Sequence, residues 1–272
     1  HRYDPAMISR LPGLSLPERA WGVVRRWALA WWRILYLGAV VCVLVLSPSS
    51  YGKVTRRALA RHLYLDTAPV LLGFTVLAAL ISLVLTRIVV VTAISYGLSR
   101  YALEMVIRVL VLELIPLTAA LFVAMRCTIP NGTQLALLRQ SGHLARLSHA
   151  GADPIRVELL PRAVAGVFAC ITLAALSCVV ALVLAYLGVY GFSLAGLPSY
   201  TRMFGHVFAP AVTLVFVIKT VLFSLAVALI PMAAGLYDTG ERTQPDSELG
   251  GLARMFAVLL LIEIGSLVGN YY

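Results

Sequence analysis

The sequence predicts an all-α polytopic membrane protein, and its composition, its long apolar runs and its charge distribution support this fold class. Of its 272 residues, 61% are hydrophobic and 12% are charged. Soluble domains contain roughly 45–50% apolar and about 25% charged residues. A soluble chain of this composition could not cover its surface with polar groups, so a bilayer is the expected solvent.

Residues 1–50 form a separate region, in which tryptophan and arginine are mixed. All four tryptophans lie here, just before the apolar run 35–46. Trp and Arg at a common depth are typical of the headgroup zone of a membrane. We therefore predict an amphipathic helix that lies in the interface. The residues that indicate it are Trp21, Arg25, Arg26, Trp27, Trp31, Trp32 and Arg33.

Residues 51–272 contain five apolar runs, close to or above the length of about 20 residues that a transmembrane helix needs. The fifth run is the shortest, and it is followed by Asn270 and two tyrosines, which can anchor a helix end at the interface. The predicted spans are about 67–91, 103–125, 163–187, 209–232 and 252–268.

The distribution of Lys and Arg predicts the orientation of the chain. With the N-terminus inside, 17 of the 22 basic residues lie in cytoplasmic segments and four lie on the opposite side. Because basic loops are retained in the cytoplasm, we expect a cytoplasmic N-terminus and an external C-terminus. The net charge of +10 then indicates contact with anionic headgroups. Nucleic acid is not expected as a partner, because ten of the 22 basic residues lie before Asp66, outside the longest apolar runs, which fits attraction to headgroups better than readout of bases.

The segment between the second and third spans is the longest cytoplasmic one. Pro130-Asn131-Gly132 predicts a turn, and Thr133 is a suitable N-cap for a surface helix over about 133–150. Asp153 followed by Pro154 predicts a second N-cap, from which the third span would start. A surface helix in this position has to pack against the bilayer or a partner protein.

Three ionisable residues fall inside predicted spans: Glu113 in the second, Lys219 in the fourth and Glu263 in the fifth. An unpaired charge in hydrocarbon is costly, so we expect the three side chains to approach one another within the bundle. Three roles are compatible with such a cluster. It could hold the bundle together, line a cavity for a lipid headgroup, or relay protons.

No motif for catalysis, nucleotide binding or metal binding is found. Gly52-Lys53-Val54-Thr55 lacks the upstream glycine of a phosphate-binding loop, and the zinc-protease and serine-hydrolase motifs are absent from the sequence. His143 and His149 are six residues apart, a spacing that places them on different faces of a helix. We therefore predict a protein that is not an enzyme and has no cofactor or metal. The cysteines lie in or beside apolar runs without a CxxC pair: Cys42, Cys127, Cys170 and Cys178.

Four stretches of the chain resemble the MlaE/YrbE family of permeases over about residues 55–270. Glu113-Leu-Ile-Pro116 followed by Ala119–Arg126 is similar to the signature of the family's second span. Lys219 with Phe223 resembles the K-x-x-x-F of its fourth span, and Glu263 falls where relatives carry an acid. The run Gly151-Ala-Asp153-Pro154-Ile155-Arg156, with Pro161-Arg162, resembles the G-V-D-P-x-R…P-R segment that closes the family's cytoplasmic helix.

The resemblance implies the permease subunit of an ABC-type lipid transporter in the bacterial inner membrane, with phospholipid as the expected cargo. Such a permease works as a dimer, with itself or with a divergent second permease, and two separate ATPase subunits hydrolyse the ATP. Lipid would pass between the membrane and periplasmic MCE proteins through a cavity between the two permeases. The implied cavity residues are Glu113, Lys219, Glu263, Leu112, Arg87 and Arg108. The residues implied to couple to the ATPase are Arg139, His143, Arg146, Leu147, Asp153, Pro154 and Arg156.

The chain departs from the family pattern at several positions. Leu112 and Ile115 stand where relatives carry arginine and glycine, and Arg87-Ile88 stands in place of the G-x-x-x-G-L-Q pattern of the first span. Three glutamates of the family's coupling helix are also replaced, which makes this element basic. We therefore predict that the cognate ATPase presents a more acidic groove, or that a second permease supplies the usual contact. The replacing residues are Gln134, Gly142 and Ser148.

Two functions from other classes are compatible with the same sequence. A proton-coupled secondary transporter could use Glu113, Lys219 and Glu263, although the internal repeats that are typical of such transporters are not found. A non-transporting membrane scaffold could use its surface helix to recruit a partner. Co-purification with an ATPase would separate the ABC-type permease from both alternatives.

Overall fold

A computed structural model describes residues 16–47, 52–237 and 246–271. Within these ranges the chain is helical and contains no strand, which confirms the predicted all-α class. Three π-helical turns (Ile107–Leu114, Ala124–Thr128 and Ile155–Leu159) and one 3-10 turn (Leu194–Gly196) accompany the α-helices. The α-helices are α1 (Leu16–Leu46), α2 (Lys53–Ser95), α3 (Ser99–Val106), α4 (Ile115–Val123), α5 (Ile129–Gln140), α6 (His143–His149), α7 (Leu160–Tyr190), α8 (Leu197–Val207), α9 (Pro210–Tyr237) and α10 (Asp246–Tyr271).

Six helical segments of the described chain are long and apolar enough to cross a membrane. Five of them overlap the five predicted spans, and the sixth is the apolar part of α1. Several are longer than the roughly 20 residues that a crossing needs, so their ends extend past the hydrocarbon. The six segments are Trp27–Leu46, Thr55–Ser95, Tyr101–Gln140, Ile155–Tyr190, Pro210–Tyr237 and Gly250–Asn270.

The membrane helices pack around α7 and α9. α2 runs along α7, α10 runs along α9, and α7 and α9 contact each other. The buried face of α7 carries many small residues, which let neighbouring helices approach closely where apolar burial alone gives no driving force. These residues are Ala163, Ala165, Gly166, Ala169, Ala174, Ser177, Ala181 and Ala185.

The predicted turn at residues 130–132 and the predicted N-cap at Thr133 are wrong. Residues 129–140 form one helix, α5, which continues from the second span through the π-helical turn Ala124–Thr128. The Thr133 hydroxyl donates to the carbonyl of Ile129, one turn earlier, instead of capping a new helix. The predicted surface helix is instead broken at Gly142, whose φ of 72° lies in the left-handed region that glycine tolerates.

A close contact between α5 and α9 explains why the turn signal fails. A Cβ atom added to Gly132 would lie 2.6 Å from the carbonyl oxygen of Pro231. Gly235, one turn further along α9, would likewise bring a Cβ against the Gly132 carbonyl. Glycine at residues 132 and 235 therefore serves a close helix crossing, and tertiary packing overrides its local preference for a turn.

α1 contacts the ends of the other helices that the charge distribution places on the cytoplasmic side. Leu37, Val41 and Leu44 share an apolar cluster with α5, α6, the start of α7 and the end of α9. Arg33 donates to the carbonyl oxygen of Tyr237, the last residue of α9, over 3.4 Å. From residue 33 to residue 44, α1 thus stays at one end of the bundle. These contacts support the interfacial position, which remains a prediction.

Candidate functional site

The helix that carries Glu113 is shaped by a π-helical turn and a proline. Ile107–Leu114 is π-helical, and Pro116 follows at the start of α4. The backbone thus changes from π-helical to α-helical turns beside Glu113, and Pro116 supplies no N–H to the preceding turn. The Lys219 ammonium of α9 lies 3.2 Å from the backbone carbonyl oxygen of Leu112 and donates to it. This carbonyl is therefore part of a polar site inside an apolar bundle.

Lys219 also forms ion pairs with both acids of the predicted cluster. Its Nζ atom contacts Oε2 of Glu113 and lies 2.9 Å from Oε2 of Glu263 on α10. The predicted approach of the three residues is therefore confirmed. The Lys219 side chain is 1% exposed, whereas those of Glu113 and Glu263 are 13% and 15% exposed. The ammonium is enclosed by its partners, and the two carboxylates are the accessible part of the site.

Two further side chains complete the surroundings of the cluster. The Asn270 amide nitrogen, near the end of α10, donates to Oε1 of Glu113 over 3.4 Å. Lys219 Nζ lies 5.7 Å from the centre of the Phe223 ring, within the range of a cation–π contact. With all three groups ionised, the cluster carries one more negative than positive charge. Its accessible carboxylates are suited to accept hydrogen bonds from a ligand.

The other predicted cavity residues take different positions. Leu112 is buried and contributes its backbone carbonyl rather than its side chain. Arg108 forms an ion pair with Glu104, one turn earlier, with 3.0 Å between Nε and Oε1. The Arg87 side chain is exposed on α2. Neither arginine is among the groups that contact Lys219 or the two acids, because sequence depth alone does not specify which helix face a residue occupies. Their place in a cavity between two permeases stays a prediction.

The predicted coupling residues lie on α5, α6 and the start of the third span. Arg139 donates to the carbonyl of Leu236 over 2.9 Å, which joins α5 to the end of α9. His143 Nε2 lies 3.6 Å from Glu158 Oε1, and Leu147 is half-buried. Arg146 is exposed and donates to the Ser141 carbonyl over 3.2 Å. Arg139 thus connects two helices, whereas the exposed Arg146 bonds to a carbonyl five residues earlier in the sequence.

Asp153 caps the helix that leads into the third span, as the sequence predicts. Its Oδ1 atom accepts a hydrogen bond from the Ile155 backbone N–H over 3.0 Å, and Pro154 is the first helical residue. Proline suits this position because its missing N–H has no partner in the first turn of a helix. Arg156 lies beside the cap, with its Nε atom 3.6 Å from Asp153 Oδ2. The start of the third span is fixed by this cap.

A second polar cluster near α5 was missed from the sequence. The buried Asn131 amide donates to Asp66 Oδ2 on α2 over 3.0 Å, and Cys127 Sγ donates to the Asp66 backbone carbonyl over 3.1 Å. Nearby, Arg162 is 7% exposed and pairs with Glu158, with 2.5 Å between Nη1 and Oε2. Asp66 just before an apolar run and the Pro161-Arg162 motif were the available signals. This cluster joins α2, α5 and the start of α7.

Helices of membrane-spanning length around an enclosed ion cluster define a polytopic membrane protein with a polar site inside its apolar bundle. The sequence profile of the family described as Permease MlaE matches residues 59–267, and the chain therefore belongs to the MlaE permease family. No curated protein matches the chain. Family membership makes it a permease component of a lipid transport system rather than an enzyme, and permeases of this family function within ABC transporter complexes. The match begins within α2, so α1 lies outside it.

Proposed function

We propose that this chain is the permease subunit of an ABC-type transporter that moves phospholipid between the bacterial inner membrane and periplasmic MCE proteins. Two separate ATPase subunits hydrolyse the ATP, and a second permease, identical or divergent, completes the dimer. The observation that carries the proposal is the family match, which covers residues 59–267 and therefore five of the six candidate spans. The excess of basic residues on one side supports a cytoplasmic N-terminus and a periplasmic C-terminus.

The ion cluster is proposed to contact the lipid headgroup. Lys219 is enclosed, so a headgroup that enters the site meets the carboxylates of Glu113 and Glu263 first. A headgroup with N–H or O–H donors could bond to these oxygens, and a headgroup phosphate could reach the ammonium once a carboxylate moves aside. Ionisable residues inside membrane segments often mark a substrate path, which supports this role over pairing alone.

α9 is proposed to connect the ATPase contact with the ion cluster. Its cytoplasmic end is held to α5 by the Gly132–Pro231 contact and by the Arg139–Leu236 hydrogen bond. Lys219 lies on the same helix, about 24 Å from Gly235 at 1.5 Å per residue. A displacement of α5 and α6 by a closing ATPase dimer would therefore move α9 and with it the ammonium that both acids share.

The role of the ion cluster in lipid transfer can be separated from its role in protein stability by replacing all three charged residues with uncharged ones. Lys219→Ala alone would leave two carboxylates without their counter-ion, and breaking a buried pair in this way costs about 3–5 kcal/mol. The combined change Glu113→Gln, Lys219→Met and Glu263→Gln removes every charge at similar volume, and such neutral replacements are often tolerated. We expect this triple variant to fold and to bind the ATPase, and to lose ATP-driven lipid transfer in proteoliposomes by at least about tenfold.

The matched control is Val217→Ala, which lies two residues from Lys219 on α9 and is half exposed. It should transfer lipid at the parent rate. A triple variant that transfers lipid like the parent would show that the charges only hold the bundle. Lipid transfer that requires a proton gradient and no ATPase would contradict the ABC-type assignment and favour a proton-coupled carrier.

A further inference from the structure

A cavity lies at the junction of α1, α9 and α10, away from the ion cluster. It contains about 290 Å³ of empty space, including the part open to the surroundings. Its lining on α9 runs from Ile230 to Tyr237, so the cavity begins about 17 Å from Lys219 along this helix. The lining residues are Ala30, Arg33, Ile34, Ile230, Ala233, Ala234, Tyr237 and Arg254.

The polar part of the cavity wall consists of two arginines and a tyrosine. Arg33 donates from Nη1 to the Tyr237 carbonyl over 3.4 Å, and its guanidinium lies 5.7 Å from the centre of the Tyr237 ring. Arg254 donates from Nε to the Gly250 carbonyl over 3.0 Å. These contacts hold two cationic groups at one opening. Arg is well suited to phosphate because its planar guanidinium presents several N–H donors in a fixed geometry.

The remaining wall is apolar and belongs to α1 and α9. It is formed by Ala30 and Ile34 on one side and by Ile230, Ala233 and Ala234 on the other. A soluble anion gains nothing from such a wall, whereas the glycerol and first acyl carbons of a lipid can contact it.

From these features we propose that the cavity binds the phosphate headgroup of an anionic lipid from the cytoplasmic leaflet. Its place at the end of α9 and the start of α10 corresponds to headgroup depth in the predicted orientation. This lipid is distinct from the transported lipid of the proposed function, whose headgroup contacts the ion cluster of Glu113, Lys219 and Glu263. It joins α1, which the family match does not include, to α9 and α10.

The test uses the purified full-length chain in detergent and native mass spectrometry. Phosphatidylglycerol and phosphatidylcholine with identical acyl chains are added in turn, and the retained lipid is counted. We expect the parent to retain phosphatidylglycerol in preference to phosphatidylcholine. The double variant Arg33→Gln/Arg254→Gln should lose about tenfold in phosphatidylglycerol retention, because two charge-assisted hydrogen-bonding groups are removed.

The control removes two other cations from the same side of the protein. Arg56 and Arg57 are exposed on α2 and do not line the cavity, so Arg56→Gln/Arg57→Gln should retain the lipid like the parent. Ala30→Leu provides an independent test, because it fills the cavity from α1 without changing a charge. It should reduce phosphatidylglycerol retention even if the arginine variant does not fold.

Three results would overturn the proposal. The first is equal retention of phosphatidylglycerol by the parent, the arginine variant and the Ala30→Leu variant. The second is an equal loss in the Arg56 and Arg57 control, which would indicate attraction to net charge alone. The third is displacement of the lipid by inorganic phosphate at millimolar concentration, which would identify a soluble anion as the occupant.

Discussion

Lys219 connects two distant parts of the sequence, because its ammonium donates to the backbone carbonyl of Leu112 in the helix that carries Glu113. Leu112 and Lys219 are 107 positions apart. A buried ammonium needs acceptors, and this carbonyl supplies one beside the carboxylates of Glu113 and Glu263. The backbone bond and the two ion pairs together fix the position of the ammonium.

The contacts of single residues were predictable where a charged side chain had to be buried and few partners were available. The approach of Glu113, Lys219 and Glu263 follows from the cost of an unpaired charge in hydrocarbon. The pairing of Asp66 with Asn131 was not predictable in this way, because an acid at the edge of a span can also face water. Arg108 shows the opposite case, in which a partner one helical turn away, Glu104, satisfies the charge locally.

Asp153 allows a test of one helix cap. Asp153→Ala removes the acceptor of the Ile155 N–H, so the first turn of the third span should lose about 1 kcal/mol of local stability. Faster amide hydrogen exchange at residues 155–159 would measure this loss, and ATPase activity should become less dependent on lipid. Asp153→Asn is the control, because asparagine is an equally good cap. Full coupling in the Asp153→Ala variant would mean that the cap has no role in transmission.

At the scale of elements, each of the five predicted spans falls on a helix of membrane-spanning length, and the lengths of these helices were the least predictable property. Apolar runs show where a bilayer can be crossed, but α2 and the second span continue as helix beyond it. α8, a short helix after the third span, was not predicted at all. The helix over 129–140 contradicts a strong local turn signal, since Gly132 is needed for a contact with α9 that no local pattern reveals.

The α5–α9 crossing predicts opposite effects for one substitution at two sites. Gly132→Ala should destabilise the protein by about 1–3 kcal/mol, because its Cβ would collide with the Pro231 carbonyl. Gly73→Ala on α2 meets nothing within 4 Å and should stabilise its helix slightly. Thermal unfolding in detergent measures both changes. Equal melting temperatures for the two variants would show that α5 and α9 are not in close contact.

At the scale of the whole molecule, charge is separated between the inside of the bundle and one of its ends. The ion cluster within the bundle combines one ammonium with two carboxylates, while the side predicted to be cytoplasmic carries most of the 22 basic residues. The sequence predicts this asymmetry from composition and order alone, and the orientation that it implies stays a prediction. The charge that this side offers to an ATPase also depends on which basic residues already bond within the chain, as Arg139 does with the Leu236 carbonyl of α9.

Arg146 is the exposed cation through which the predicted ATPase contact can be tested. If the cognate ATPase presents an acidic groove, Arg146→Glu should weaken its binding at low salt, and the difference should shrink as salt screens the charges. Affinity of the purified ATPase for the permease in nanodiscs, measured at two salt concentrations, gives the result. Arg202→Glu on α8 is exposed and lies on the opposite side, so it should leave binding unchanged. Identical affinities for Arg146→Glu and the parent at both concentrations would exclude charge complementarity.

The contact between Arg33 and Tyr237 joins residues 204 positions apart, and this separation has a consequence for synthesis. At 5–20 residues per second, the ribosome reaches Tyr237 about 10–40 s after Arg33. During that interval α1 has left the ribosome, while the part of α9 on which it rests does not yet exist. Until then, α1 can contact the membrane surface, which its tryptophans and arginines suit, and the segments of its cluster that are made earlier, α5, α6 and the start of α7. The contact between α1 and the end of α9 is therefore a late step of assembly.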